Sequence, residues 1–127
     1  MIAVDTSALM AILLDDPHAD ACASALEDDN HPVISAVTVA EALIVAARRN
    51  VAEEMEQLIG NLGFEIVNVT PASARRVAEA YGKWGKGMHP AGLNFGDCFA
   101  YQVAKEQQCR LLFVGNDFAQ TDVPSAM

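Results

Sequence analysis

Short apolar runs that do not alternate with polar residues limit the fold of this chain more than any other feature. They fall at residues 2–4 (IAV), 32–35 (PVIS) and 111–114 (LLFV), with a further strand candidate at 64–69 (FEIVNV). A strand with one wet face alternates apolar and polar positions, whereas a run without alternation is buried on both faces. Helical patterns separate the runs, at residues 7–14, 18–26, 36–49, 51–62, from Thr70 onward, and 94–107. Strands that alternate with helices imply an α/β sandwich of three layers, a central parallel sheet with helices on both faces. A chain of 127 residues suits one such domain, 1–127, with no room for a second.

Local signals mark the ends of these elements. Asp15, Asp16 and Pro17 break the first helix, and Ser35 is placed to cap the helix that follows PVIS. Arg48 and Arg49 lie at that helix's C-terminus, where cations suit the dipole. Asn50 with Glu53 three residues later reads as a capping box for the next helix, whose apolar positions Val51, Met55, Leu58, Ile59 and Leu62 run up to Gly63. Thr70 and Pro71 form an N-cap and N1 pair before the stripe Ala74, Val77, Ala78 and Tyr81. Residues 82–92 hold four glycines, a proline, two lysines and His89, the composition of a loop. Asn94 then caps the last long helix, with Asp97 at its third position.

Apolar residues make up 52% and charged residues 20%, so a full core can form. No apolar run approaches the roughly 18 residues of a membrane span, and the N-terminal MIAV is too short for a signal peptide, so a cytoplasmic protein is expected. Cys22, Cys98 and Cys109 have neither zinc nor disulfide spacing and read as small buried hydrophobes. His18, His31 and His89 share no ligand spacing and read as solvated. The net charge of −9 is awkward for a nucleic-acid binder unless a cation cancels part of it, and it would also suit a basic protein partner.

Four acids share one position relative to their elements. Asp5 ends the first strand, Asp117 follows the last, Glu41 lies in the second turn of a helix and Asp97 in the first turn of another. In an open parallel sheet, strand C-termini and the following helix N-termini share the edge where ligands bind. Convergence there would make an oxygen-rich site suited to Mg²⁺ or Mn²⁺, and with such an ion to hydrolysis of a phosphodiester. Each acid has a plainer reading: Asp5 as a helix cap, Asp97 as half of a capping arrangement with Asn94, and Asp117 as a turn residue. Glu41, among TVA and ALIVAA, is costly in so apolar a helix unless paired or metal-bound. Asp122 rivals Asp117 as the fourth acid. Thr6, Ser7, Asn94 and Asn116 are auxiliary candidates, serving either as caps or as contacts to bound water or phosphate.

The motifs MIAVDTSAL, TVAEAL, LNFGDCFAY and LLFVGNDFAQTDV, in that order, resemble the PIN-domain family, and within it the VapC toxins of bacterial toxin–antitoxin pairs. The resemblance covers nearly the whole chain. It implies a parallel sheet of about five strands, RNA cleavage with Mg²⁺ or Mn²⁺, and metal-site acids at Asp5, Glu41, Asp97 and Asp117. It also implies a homodimer, held inactive in a heterotetramer or larger assembly by a VapB-type antitoxin. The loop before LNFGDC, often rich in Arg in this group, here carries Lys83, Lys86 and His89 around Trp84. Lys83, Lys86, Arg48 and Arg49 are the candidate RNA contacts.

Two other functions compete. One is a PIN-fold module that binds a partner without significant turnover, motivated by the acidic charge. The other is an aspartyl-phosphate phosphatase, whose chemistry wants a second Asp two residues after the nucleophile. Ser7 stands there instead.

Overall fold

The computed structural model describes residues 1–127. Strands β1 (Ile2–Val4), β2 (Pro32–Ser35), β3 (Glu65–Val67) and β4 (Arg110–Leu112) form one sheet in the order β3-β2-β1-β4. Every neighbouring pair is parallel, with Ala3 opposite both Val33 and Leu111, and Ile34 opposite Ile66. The helices are α1 (Thr6–Leu13), α2 (Ala19–Glu27), α3 (Ala36–Arg48), α4 (Ala52–Leu62), α5 (Pro71–Trp84) and α6 (Phe95–Glu106), with a 3-10 turn at Phe118–Gln120.

The unbroken apolar runs have their cause in two cores. Ala3, Val33 and Leu111 pack on one side of the sheet with Val77 of α5 and Cys98 and Phe99 of α6. Val4, Ile34 and Leu112 pack on the other with Leu9 of α1, Cys22 of α2, Ala42 of α3 and Met55 of α4. Both faces of each inner strand are therefore dry. The sheet has four strands where about five are expected. The fifth place is reduced to a single parallel bridge between Leu111 and Ser125. There the Leu111 N–H donates to the Pro124 carbonyl and the Ala126 N–H to the Leu111 carbonyl, both at 2.9 Å. Pro124 has no N–H with which to lengthen the ladder.

Two local expectations are corrected. Asn50 does not open α4, where Val51 takes the N-cap position without a side-chain bond. Asn50 instead adopts φ 60° and ends α3, with its N–H on the Ala47 carbonyl and the Val51 N–H on the Ala46 carbonyl. That is the paired bonding of a Schellman motif, and Asn tolerates its left-handed position better than most residues. On α5 the buried residues are Ser73, Val77 and Ala80. Ser73 turns inward because it forms a reciprocal capping box with Thr70. Ala74, Ala78 and Tyr81 are left on an open groove shared with Phe95 and Phe99.

All three cysteines are free, with Cys22 and Cys98 buried. His89 is not simply solvated: its Nδ1 accepts the Ala91 N–H at 3.0 Å, and its ring meets Trp84 edge-on. Because every strand runs the same way, the sheet's C-terminal edge also carries the N-termini of the following helices. Asp5, the first residue past β1 and the N-cap of α1, lies on that edge.

Candidate active site

The site is built outward from Asp5, which is 4% exposed. Its own N–H donates to the Leu112 carbonyl of β4 at 3.0 Å, pinning the backbone between strands. Its Oδ2 accepts the Ser7 N–H at 3.0 Å and the Ser7 hydroxyl at 2.7 Å. The Ser7 Oγ in turn accepts the Val114 N–H at 3.0 Å, tying the start of α1 to the segment that leads to Asp117. Oδ1 of Asp5 is buried and has no partner. A buried polar atom left unpaired is rare in folded proteins and calls for a cause.

Glu41 reaches Asp5's neighbour from α3. The Thr6 hydroxyl donates to Glu41 Oε1 at 2.5 Å, across 35 residues of sequence. Asp97 is held by its own helix: its N–H donates to Asn94 Oδ1 at 2.8 Å, and its Oδ2 accepts the Asn94 N–H at 3.0 Å. Asp97 is thus a cap partner, and its charge is also felt at Asp5, so capping does not take it away from the candidate site. Asp117 is exposed and begins the 3-10 turn without a side-chain cap bond.

The electrostatics join these acids into one group. Burial pushes the Asp5 carboxyl up to about 7, against the pull of both Ser7 bonds, and the charges of Asp97 and Glu41 raise it further. Burial also raises Asp97; the Asn94 bond opposes this, and the charges of Glu41 and Asp117 add to the rise. None of the five salt bridges in the chain involves any of the four. Carboxylates that raise one another and have no cation beside them make a strongly negative pocket. No three Asp, Glu, His or Cys side chains converge into a ready-made ligand cage. The arrangement matches an ion that takes one or two carboxylates and keeps several waters, as Mg²⁺ does. The unpartnered Oδ1 of Asp5 fits such an ion.

Asp122, the rival fourth acid, is committed elsewhere. It accepts the Tyr101 hydroxyl at 2.6 Å and pairs with Lys105 at 3.2 Å. Burial pushes its carboxyl up, but Tyr101 and Lys105 outweigh that and hold it below the usual carboxylate range. Tyr101 also accepts the Trp84 indole N–H at 3.0 Å, a relay with no counterpart in the sequence reading. The Asn116 carbonyl accepts from Gln120 at 3.3 Å, and its side chain is exposed.

The candidate RNA contacts are dispersed. Arg48 and Arg49 stand at the far end of α3, about 10 Å along the axis from Glu41 at 1.5 Å per residue. Lys83 lies over the Trp84 ring at 5.0 Å, in a groove with Arg76, Glu79 and Lys105. Lys86 lines the apolar groove with Asn94 and Phe95, so of the four it shares a groove with residues adjoining Asp97.

A fold with a parallel sheet, and acids gathered past the ends of its strands, defines an α/β protein with a candidate divalent-cation site. The chain matches the PIN-domain family over residues 2–124. It is 44% identical to Ribonuclease VapC36 of Mycobacterium tuberculosis, over 94% of this chain and 89% of that protein. It is 39% identical to Ribonuclease VapC30 of the same species, over 94% of each. The chain belongs to the PIN-domain family, in its VapC ribonuclease branch. Among solved structures it resembles M. tuberculosis VapC20, a Sarcin-Ricin loop cleaving toxin, with a TM-score of 0.79 at 16% identity over 97% of this chain and 96% of that one. It also resembles a chain of a toxin–antitoxin complex from Klebsiella pneumoniae, with a TM-score of 0.73 at 17% identity over 96% of this chain and 93% of that one. At these identities the two structures speak to the fold alone.

Proposed function

We propose that the protein is an endoribonuclease dependent on Mg²⁺ or Mn²⁺ and acts as the toxin of a toxin–antitoxin pair. The observation that carries the metal-dependent reading is Asp5: its carboxylate is enclosed, one oxygen lacks any partner, and its charged neighbours are Asp97 and Glu41. Asp5, Glu41 and Asp97 would hold the ion, one or two of them directly and the rest through its waters, with Asp117 at the exposed rim. When bound, a divalent cation supplies the Lewis acidity and positive charge that phosphodiester hydrolysis draws on. Ser7 occupies Oδ2 of Asp5 and so leaves Oδ1 as its free donor oxygen. Asn94 keeps Asp97 oriented, and Thr6 does the same for Glu41. Of the candidates for RNA phosphate, Lys83, Lys86, Arg48 and Arg49, Lys86 is the one that shares a groove with Asn94, the cap partner of Asp97. The names of the relatives support RNA as the substrate class.

The purified protein cleaves RNA with Mn²⁺ or Mg²⁺, stops in EDTA, and recovers when the ion is returned. Cleavage that continues in EDTA would sink the metal-dependent reading. The charge of −9, with no cation paired to the site acids, favours a second reading: a binding module for a basic partner. Absence of RNA cleavage with every divalent ion, together with tight binding of a basic antitoxin segment, would select it.

For partners we propose a VapB-type antitoxin, in a heterotetramer or larger assembly within the cytoplasm, and a homodimer of this chain without it. The toxin–antitoxin neighbour and the acidic charge support the first. No helix is long and apolar enough to cross a membrane. The homodimer has support from an open face. Val69 (41% exposed), Tyr81 (39%) and Phe95 (69%) line one groove with Ala74 and Ala78. Val69 follows β3, an outer strand of the sheet, by two residues. A two-fold pairing sets the same patch of each copy against the other, so one such face can close itself. Phe95→Lys then shifts the protein from dimer to monomer in light scattering while its far-UV circular dichroism stays that of the folded parent. A dimer that survives the substitution puts the interface elsewhere.

A further inference from the structure

Gly96, the second residue of α6, has no conformational reason to be glycine, since it is not among the residues with positive φ. Ala is the better helix former at such a site. The reason lies across the site. A methyl group at position 96 would collide with Oε2 of Glu41 and stand 2.8 Å from its Cδ and 3.3 Å from Oε1. The carboxylate of Glu41 therefore rests against the bare backbone at the start of α6, one residue before Asp97. Its other oxygen, Oε1, accepts the Thr6 hydroxyl at 2.5 Å. Without Thr6 the side chain would be free to swing into solvent. With a side chain at 96 it would have no room beside Asp97.

We propose that Gly96 and Thr6 are positioning residues for Glu41, a hydroxyl latch and a steric vacancy that together hold its carboxylate beside Asp97 at the divalent-cation site. The inference rests on the reading of Glu41 as one of the ion's ligands. It assigns Gly96 a role that neither helix geometry nor the core requires. The clash falls on the end of a flexible side chain and not on backbone, so Gly96→Ala displaces Glu41 and leaves the fold intact.

The test is Mn²⁺ binding to the full chain by calorimetry, with the melting temperature of the EDTA-treated protein as a second readout. Gly96→Ala is expected to bind Mn²⁺ at least about tenfold more weakly, the scale seen when groups that orient metal ligands are lost. Its metal-free melting temperature stays equal or rises. Thr6→Val weakens binding to a similar degree, and Thr6→Ser, which keeps the hydroxyl, restores it. In a Glu41→Gln background, Gly96→Ala causes little further loss, because both changes act through one side chain. Parent-like affinity in Gly96→Ala overturns the proposal, as does an equal loss in the Glu41→Gln background. Unchanged affinity in Glu41→Gln alone overturns instead the reading of Glu41 as a ligand.

Discussion

Replacing Asp5 with Asn raises the stability of the metal-free protein above neutral pH and abolishes its RNA cleavage. Burial pushes the Asp5 carboxyl from 3.8 to about 7, and the charges of Asp97 and Glu41 add to it. The folded chain therefore keeps this proton through a range in which the unfolded chain has lost it. Between pH 3.8 and about 7 the folded state binds more protons, so its stability falls as pH rises, and the loss is complete above about 7. At 1.36 kcal/mol per pH unit the scale is roughly 4 kcal/mol. Asn caps a helix about as well as Asp, and its carbonyl oxygen still accepts from Ser7, so the variant keeps the local fold without the buried charge. Urea unfolding in EDTA at pH 5 and pH 8 measures the part of that range above pH 5: the parent loses stability between the two, and the variant loses less by roughly 3 kcal/mol. Mn²⁺ restores the parent at pH 8 by mass action and does much less for the variant. Parallel pH profiles for the two proteins would show that the buried charge is not at Asp5. The site thus runs against stability, as expected where carboxylates are kept unpaired for an ion.

What the sequence reveals and what it hides divide along one physical line. Asp5 and Asp97 are readable because local rules place them: a strand's end, a helix's third position, a cap three residues earlier. Glu41 is readable because a carboxylate among TVA and ALIVAA needs a reason. Its two supports are not readable. Thr6 meets it only through the fold, across 35 residues, and Gly96 contributes a missing side chain, which leaves no pattern. Asn50 is misassigned because the same short amide suits both an N-cap and a left-handed helix end. The choice depends on whether α3 has already used the residue. The apolar stripe of α5 is displaced for a related reason, since the Thr70–Ser73 box turns a polar residue inward and leaves Tyr81 on the groove. Asp117 and Asp122 are indistinguishable in sequence, both lying past the last strand. Only the Tyr101 hydroxyl and Lys105, reaching over from α6, separate them.

Asp97→Asn removes cleavage with almost no effect on the fold, and its neighbours then identify the fourth acid. The Asn94 N–H that now reaches Asp97 Oδ2 can reach an amide oxygen instead, so the start of α6 survives and stability changes by about 1 kcal/mol or less. Cleavage falls about a thousandfold, which at 1.36 kcal/mol per decade is roughly 4 kcal/mol of lost transition-state stabilisation. Asp117 is exposed and unbonded, yet its charge is felt at Asp97. Asp117→Asn therefore lowers cleavage by about tenfold, a smaller loss than an enclosed ligand would cause. Asp122→Asn behaves differently. Its carboxylate is engaged by Tyr101 and Lys105, so the substitution costs up to about 1 kcal/mol of stability and leaves the cleavage rate unchanged. Rates measured for the three variants under saturating Mn²⁺, with melting temperatures alongside, separate a loss of chemistry from a loss of fold. If Asp122→Asn cripples cleavage while Asp117→Asn does not, the rim acid is Asp122, and the Tyr101–Lys105 clamp must open when RNA binds.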